Sequence, residues 1–139
     1  MIEQKDVIAF FDERAGGWDA GMVRSDEKIG RILDNAKVTA GSRVLDIACG
    51  TGVLIGDYLR RNVESVTAVD ISQSAIDMAR ANAVRIGLEG RMDFLTADVF
   101  DLLTELEKKG GKPYDFIILD PPAFTKSRKT VKSAERGYK

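Results

Sequence analysis

Hydrophobic positions change period several times along this chain, and each change marks an element. Over residues 2–15, Val7, Ile8, Phe10, Phe11 and Ala15 recur at the spacing of an amphipathic helix, and Gly16-Gly17 ends it. Ser25 or Asp26 can cap a second helix, with a predicted apolar stripe of Ile29, Ile32, Leu33 and Ala36. The helical period stops at the turn Ala40-Gly41-Ser42. Arg43 to Ala48 is then a short, mostly apolar run of the kind found in buried parallel strands. Glycines follow, and a helical stretch runs from Val53 to Arg61. Ser65 to Val69 predicts a second strand, ended by Asp70. Ser72 is placed to cap a helix over 73–86 that buries Ile76, Ala79, Ala83 and Ile86 and stops at Gly87. Met92 to Thr96 predicts a third strand and Leu102 to Lys109 a helix closed by Gly110-Gly111. Tyr114 to Leu119 predicts a fourth strand, broken by Asp120-Pro121-Pro122, and a further helix can start at Ser127.

Strands alternate with helical patterns four times, which predicts an α/β domain: a Rossmann-like, doubly wound parallel sheet with crossover helices. A length of 139 residues makes this a single domain, with helices in 1–40 and the β/α core in 41–139. At 44% hydrophobic and 31% charged, the composition is that of a water-soluble globular protein. No apolar run approaches the ~20 residues needed to cross a bilayer, so no membrane association and a cytoplasmic location are expected. The single cysteine, Cys49, and the lack of any histidine exclude an internal disulfide, a Cys-cluster or His-ligated metal site, and histidine general-base catalysis. Charge is unevenly spread. Residues 126–139 hold six basic side chains against Glu135, a net of +5, so the total of −1 leaves −6 on the rest. That basic run is either a contact for a polyanion such as RNA or a solvated face.

The chemistry-bearing positions all fall where predicted strands end. Asp46-Ile47-Ala48-Cys49-Gly50-Thr51-Gly52 joins the first strand to a helix, and glycines there let the backbone approach a ligand closely. A dinucleotide fingerprint needs Gly-x-Gly-x-x-Gly, and here the third glycine, Gly56, comes one residue late, which argues against a nicotinamide oxidoreductase. Asp46, four residues before Gly50, suits a ligand with a cationic amino group. Asp70 ends the second strand, where an acid can accept hydrogen bonds from both ribose hydroxyls. Asp98 follows the third strand and is either an acceptor for an adenine amino group or the N-cap of a helix over 99–109; the two roles are compatible. Asp120 is an acceptor at the end of the fourth strand, Pro121 stiffens the loop beyond it, and Phe124 offers a face for a flat base.

Together these residues resemble the class I S-adenosylmethionine (SAM)-dependent methyltransferases over nearly the whole chain. Val44 to Gly52 is similar to that family's first motif and Asp70 to the acid of its second. The resemblance implies SAM as cofactor, with Ala48 and the Gly50–Gly52 loop under its methionine part and Asp46 near its amino group. Asp70 would then hold the ribose, Ile71 pack on the adenine, and Asp98 with Val99 read the adenine edge. Asp120, Pro121 and Phe124 would orient the acceptor in a methyl transfer, with RNA as one acceptor class. Residues 1–65 resemble quinone-biosynthesis-type small-molecule methyltransferases, through Phe10-Phe11-Asp12 and Trp18-Asp19. Residues 66–139 resemble large-subunit ribosomal RNA cytosine-C5 methyltransferases, through Asp120 to Lys129 and Arg136 to Lys139. This split implies a chimera joined near the second strand. Four predicted strands against that family's seven imply the N-terminal part of the fold, an open sheet edge and a homo-oligomer. The alternative reading is a non-catalytic half-fold or engineered scaffold with weak or no SAM binding. Cys49 lies in the cofactor loop and is read as a packing residue, not a nucleophile.

Overall fold

The computed structural model describes residues 3–120. Helix α1 (Gln4–Ala15), a 3-10 turn (Asp19–Gly21) and α2 (Asp26–Asn35) lead into the alternating part of the chain. There β1 (Arg43–Ile47), α3 (Ile55–Arg60), β2 (Ser65–Asp70), α4 (Gln73–Ile86), β3 (Met92–Thr96), α5 (Val99–Lys109) and β4 (Phe116–Leu119) follow one another. All four strands are parallel, in the order β3-β2-β1-β4. The chain winds outward from β1 to β3, then crosses back to lay β4 on the other side of β1. This is the doubly wound α/β arrangement expected from the strand–helix alternation, and it gathers every strand's C-terminal end along one edge.

Local chemistry accounts for most boundaries. The Ser72 Oγ accepts the Ala75 N–H at 3.1 Å to start α4, and Gly87 closes it in the left-handed region at φ 76°. The Ser25 Oγ accepts the Lys28 N–H at 3.4 Å and starts α2. Asp98 Oδ1 accepts the Phe100 N–H at 2.8 Å and opens α5 at Val99, the start that its N-cap reading gives, three residues before the start read from the apolar pattern at Leu102. Residues 51–54 are spent on turns, so α3 is shorter than the predicted Val53–Arg61. Strand β4 starts at Phe116 rather than Tyr114; the Tyr114 hydroxyl instead donates to Thr67 Oγ1 at 3.2 Å.

Strands β1 and β2 are buried on both faces, as parallel strands between two helix layers must be. On one face Val44, Val66 and Ala68 pack against Leu33 of α2, Ile55 and Tyr58 of α3, and Ile76, Ala79 and Ala83 of α4. On the other face Leu45, Ile47 and Val69 meet Leu102 and Leu106 of α5 and Tyr114. Of the predicted α2 stripe, Leu33 is buried and Ile29 half-buried, but Ile32 is 56% exposed and Ala36 is also exposed. Helix α2 lies at the margin of its layer and reaches the core along a narrow line only. Strand β4 is held to β1 by Arg43, whose backbone N–H and guanidinium both donate to Asp115 at 2.9–3.1 Å. Those hydrogen bonds hold the Asp115 carboxyl down to about 2. Ile117 and Leu119 pair with Leu45 and Ile47 on the α5 face, yet stay 52% and 55% exposed because α5 does not extend over β4.

The Gly87 cap makes a simple test. An added Cβ there meets no atom within 4 Å, so Gly87→Ala carries only the conformational cost of a left-handed backbone. We expect a loss of about 1 kcal/mol, read as a lower urea midpoint with an unchanged m-value.

Candidate functional site

The loop after β1 is built from residues in unusual backbone conformations. Ala48, Gly50 and Gly52 all have positive φ, at 59°, 56° and 86°. For Ala48 this costs roughly 1–2 kcal/mol, which the surrounding contacts must offset. A Cβ on Gly52 would lie 2.3 Å from Ile55 Cδ1 and 3.3 Å from Ala79, so this glycine is required where the loop packs onto α3 and α4. A Cβ on Gly50 would meet nothing within 4 Å, which leaves that side of the loop open. The loop is tied down by the Gly50 N–H, which donates to Asp70 Oδ2 at 2.9 Å, and by Asn82 Nδ2, which donates to the Thr51 carbonyl at 2.9 Å. The other Asp70 oxygen accepts the Ser72 N–H at 2.9 Å.

Beside this loop lies a cavity of about 780 Å³ at the C-terminal ends of the strands. Of the residues singled out from sequence, Ala48, Gly50, Asp70, Ile71, Asp98, Val99 and Asp120 line it together. Gly52 shapes the loop from behind. Pro121, Phe124 and the basic run 126–139 lie outside the described residues. Among the described residues, no group of Cys, Asp or Glu side chains is arranged to hold a metal ion.

Asp46 does not line the cavity. It points from β1 into the core beneath the loop, only 5% exposed, where the Tyr58 hydroxyl donates to its Oδ2 at 3.0 Å. Burial pushes its carboxyl up to about 7, with the Asp120 and Asp70 charges adding to the effect and the Tyr58 hydrogen bond opposing it. Burial also pushes the Cys49 thiol far above its ordinary range, so Cys49 carries no thiolate and acts as a packing residue.

The opposite wall is one that sequence reasoning did not assign. Gln4, Val7, Phe11 and Ala15 of α1, with Trp18 and Met22, form the roof of the cavity. Phe11 and Trp18 are in ring contact, their centroids 5.9 Å apart. The i, i+4, i+8 spacing of Val7, Phe11 and Ala15 is visible as a helical stripe. What it faces is decided by contacts to residues far along the chain.

Residues 26–136 match the family of methyltransferase small domains. The chain belongs to that family. This methyltransferase domain is 42% identical over 125 residues to ribosomal RNA large subunit methyltransferase I of Aeromonas hydrophila, covering 84% of this chain and 31% of the relative. It is 40% identical over 104 residues to the protein of the same name from Photobacterium profundum, covering 74% and 26% of the two chains. Among solved structures, the SAM dependent methyltransferase from Agrobacterium tumefaciens superposes with a TM-score of 0.61 at 33% identity, over 74% of this chain and 34% of that one. The domain therefore spans about a third of the length of the curated relatives it matches. A match over 84% of the chain necessarily runs through residues 55–80, so one natural relative is continuous across both halves. A chimeric junction near β2 has no support.

The buried acid of this methyltransferase domain makes stability depend on pH. Below the ordinary value of 3.8, Asp46 is protonated in both folded and unfolded chains. Between 3.8 and about 7 the unfolded chain gives up the proton while the folded domain keeps it, so stability falls as pH rises through this window and levels off above it. Asp46→Asn removes that slope. Thermal melts from about pH 5 to about pH 8 should show the wild type losing on the order of 3 kcal/mol relative to the variant, at about 1.4 kcal/mol per pH unit. Parallel profiles for the two proteins would show that Asp46 titrates normally.

Proposed function

We propose that this methyltransferase domain binds SAM in the 780 Å³ cavity and takes part in methyl transfer to RNA in the cytoplasm. The observation that carries the reading is the meeting of the glycine loop, Asp70 and Asp98 in one cavity, at the ends of β1, β2 and β3. Open α/β sheets bind their ligands along this edge. The residues present fit the cofactor. Gly50 leaves open space on its free side. Each oxygen of Asp70 and of Asp98 accepts one hydrogen bond within the protein and keeps a lone pair for a ligand donor. Ile71 and Val99 add apolar flanks.

In this reading Asp70 accepts from the ribose hydroxyls, Ile71 packs on the adenine, and Asp98 and Val99 read its edge. Ala48 and the Gly50–Gly52 loop lie under the methionine part. Asp46 acts from beneath the loop, where a cationic amino group above it favours its ionised form. Bound SAM supplies an electrophilic methyl group on a sulfonium. The protein's own work is to hold the reactants in line and keep water away. Asp120, at the cavity wall, orients the acceptor, and Pro121 and Phe124 are assigned to the same task from sequence. RNA as acceptor is supported by the names of the ribosomal RNA relatives and by the net charge of +5 over residues 126–139.

Calorimetric titration with SAM and S-adenosylhomocysteine tests the cofactor assignment. We expect binding that Asp70→Asn weakens by about 10–100-fold, because the variant loses an acceptor for the ligand and for the Gly50 amide. No heat of binding from a well-folded wild-type domain would sink the reading.

We also propose self-association through β4, whose outer edge is unpaired among the described residues and carries the exposed Ile117 and Leu119. Light scattering at tens of micromolar should show a dimer or larger species that Ile117→Lys returns to monomer. A wild-type monomer would count against it.

A further inference from the structure

The N-terminal segment crosses the cavity, and its polar contacts reach the loop after each of three strands in turn. Gln4 Nε2 donates to Asp98 Oδ2 at 3.0 Å, beyond β3. Asp12 Oδ1 accepts the Ser72 hydroxyl at 2.5 Å and the Ser74 N–H at 3.1 Å, beyond β2. The Thr51 hydroxyl donates to Asp19 Oδ1 at 2.5 Å, beyond β1. One stretch of chain is thus tied to the three loops that carry Asp98, Asp70 and Gly50. Between the ties it turns Val7, Phe11 and Trp18 toward the cavity. Its outer side is stiffened by Phe10, set edge-on to Phe11 at 5.2 Å and covered by the Arg14 guanidinium at 3.6 Å.

Two features mark this segment as more than a packed helix. First, the ties are polar and join distant parts of the chain, and the Ser72 and Ser74 hydrogen bonds hold the Asp12 carboxyl below its usual range, so it stays ionised near neutrality. Second, Gln4 donates to Asp98 Oδ2, the oxygen that does not cap α5, on a residue that lines the cavity. A nucleoside amino group reaching Asp98 shares that oxygen with Gln4.

We propose that residues 4–22 form a clasp that closes on a bound nucleoside and slows its release, with Gln4 its contact at the adenine end. This rests on the reading that the cavity holds the nucleoside of SAM. The clasp carries no chemistry; it buries the ligand between the strand ends and an apolar roof, and its three ties set how readily the roof lifts.

Trp18 is the only tryptophan in the chain and lies in that roof, so its fluorescence reports on the clasp directly. The test measures acrylamide quenching of Trp18 with and without S-adenosylhomocysteine, and stopped-flow release of that ligand from wild type, Gln4→Ala and Asp12→Ala. Circular dichroism checks that each is folded. We expect the ligand to protect Trp18 from quenching in the wild type. Release should quicken about tenfold in Asp12→Ala and several-fold in Gln4→Ala, the size expected for one or two lost hydrogen bonds. Gln4 is exposed and outside the core, so Gln4→Ala remains informative if Asp12→Ala does not fold. Calorimetric binding with unchanged Trp18 quenching, and release rates within about twofold of wild type, would overturn the clasp and leave the cofactor reading intact. No binding by the folded wild type would overturn both.

Discussion

A parallel sheet brings the C-terminal ends of its strands to one edge, and at that edge the Gly50 N–H donates to Asp70 Oδ2 at 2.9 Å. The site depends on this bond. The loop after β1 is held in a conformation that places Ala48, Gly50 and Gly52 at positive φ, which no local preference of Ala48 supports. Asp70 supplies the restraint from the neighbouring strand. Its second oxygen accepts the Ser72 N–H, and the Ser72 hydroxyl in turn accepts from Ala75 and donates to Asp12. The loop after β1, the start of α4 and helix α1 are therefore linked in series through one carboxylate. A change at Asp70 is felt in the loop and the roof together, so the ribose-binding role proposed for Asp70 falls on a residue that also braces the site.

Asp46 shows the cost of building such a site. A carboxyl with 5% exposure and one hydroxyl donor is a poor choice for stability, and its displaced pKa expresses that penalty. An apolar residue there would pack between Val44 and the α3 layer without it. The cationic amino group proposed to lie above the loop gives the acid a use, because a buried carboxyl that is half ionised near neutrality responds strongly to a nearby cation. Tyr58 keeps it satisfied until then.

Much of the fold was legible because its signals are local. Ser72 and Gly87 bound α4 by hydrogen bonds and backbone conformation within a few residues, and they bound it where the sequence puts them. The same holds for the glycine loop and for Asp70 and Asp98 at strand ends. The α2 stripe was read too broadly, since periodicity shows which side chains share a face but not how much of that face another element covers; Ile32 is left in water. The roof was not legible as a cavity wall. Its defining contacts join Gln4 to Asp98 and Asp12 to Ser72, and no spacing within residues 4–22 encodes a partner so far along the chain. Asp46 was placed near a ligand's amino group by its position in the loop motif. Strand alternation puts it on the face of Val44, where the Tyr58 hydroxyl donates to it, so any such action comes from beneath the loop and not from the cavity wall.

The two ends of the cavity rest on supports of different stiffness. The glycine loop and Asp70 follow β1 and β2, which are covered on both faces, and Asp98 is fixed by its own cap and by Gln4. Asp120 follows β4, which has a neighbour on one side only among the described residues and exposes Ile117 and Leu119. Beyond its parallel ladder with β1, β4 is tied by the exposed Arg43–Asp115 pair at the far end and by a long Asp120 N–H to Ile47 carbonyl contact of 3.5 Å at the near end. Exposed ion pairs contribute little. The side proposed to recognise a nucleoside is thus set by the doubly covered centre of the sheet. The side that would meet an acceptor is set by how firmly β4 is held, so whatever covers the apolar face of β4 will tune the acceptor geometry while leaving the cofactor contacts nearly unchanged.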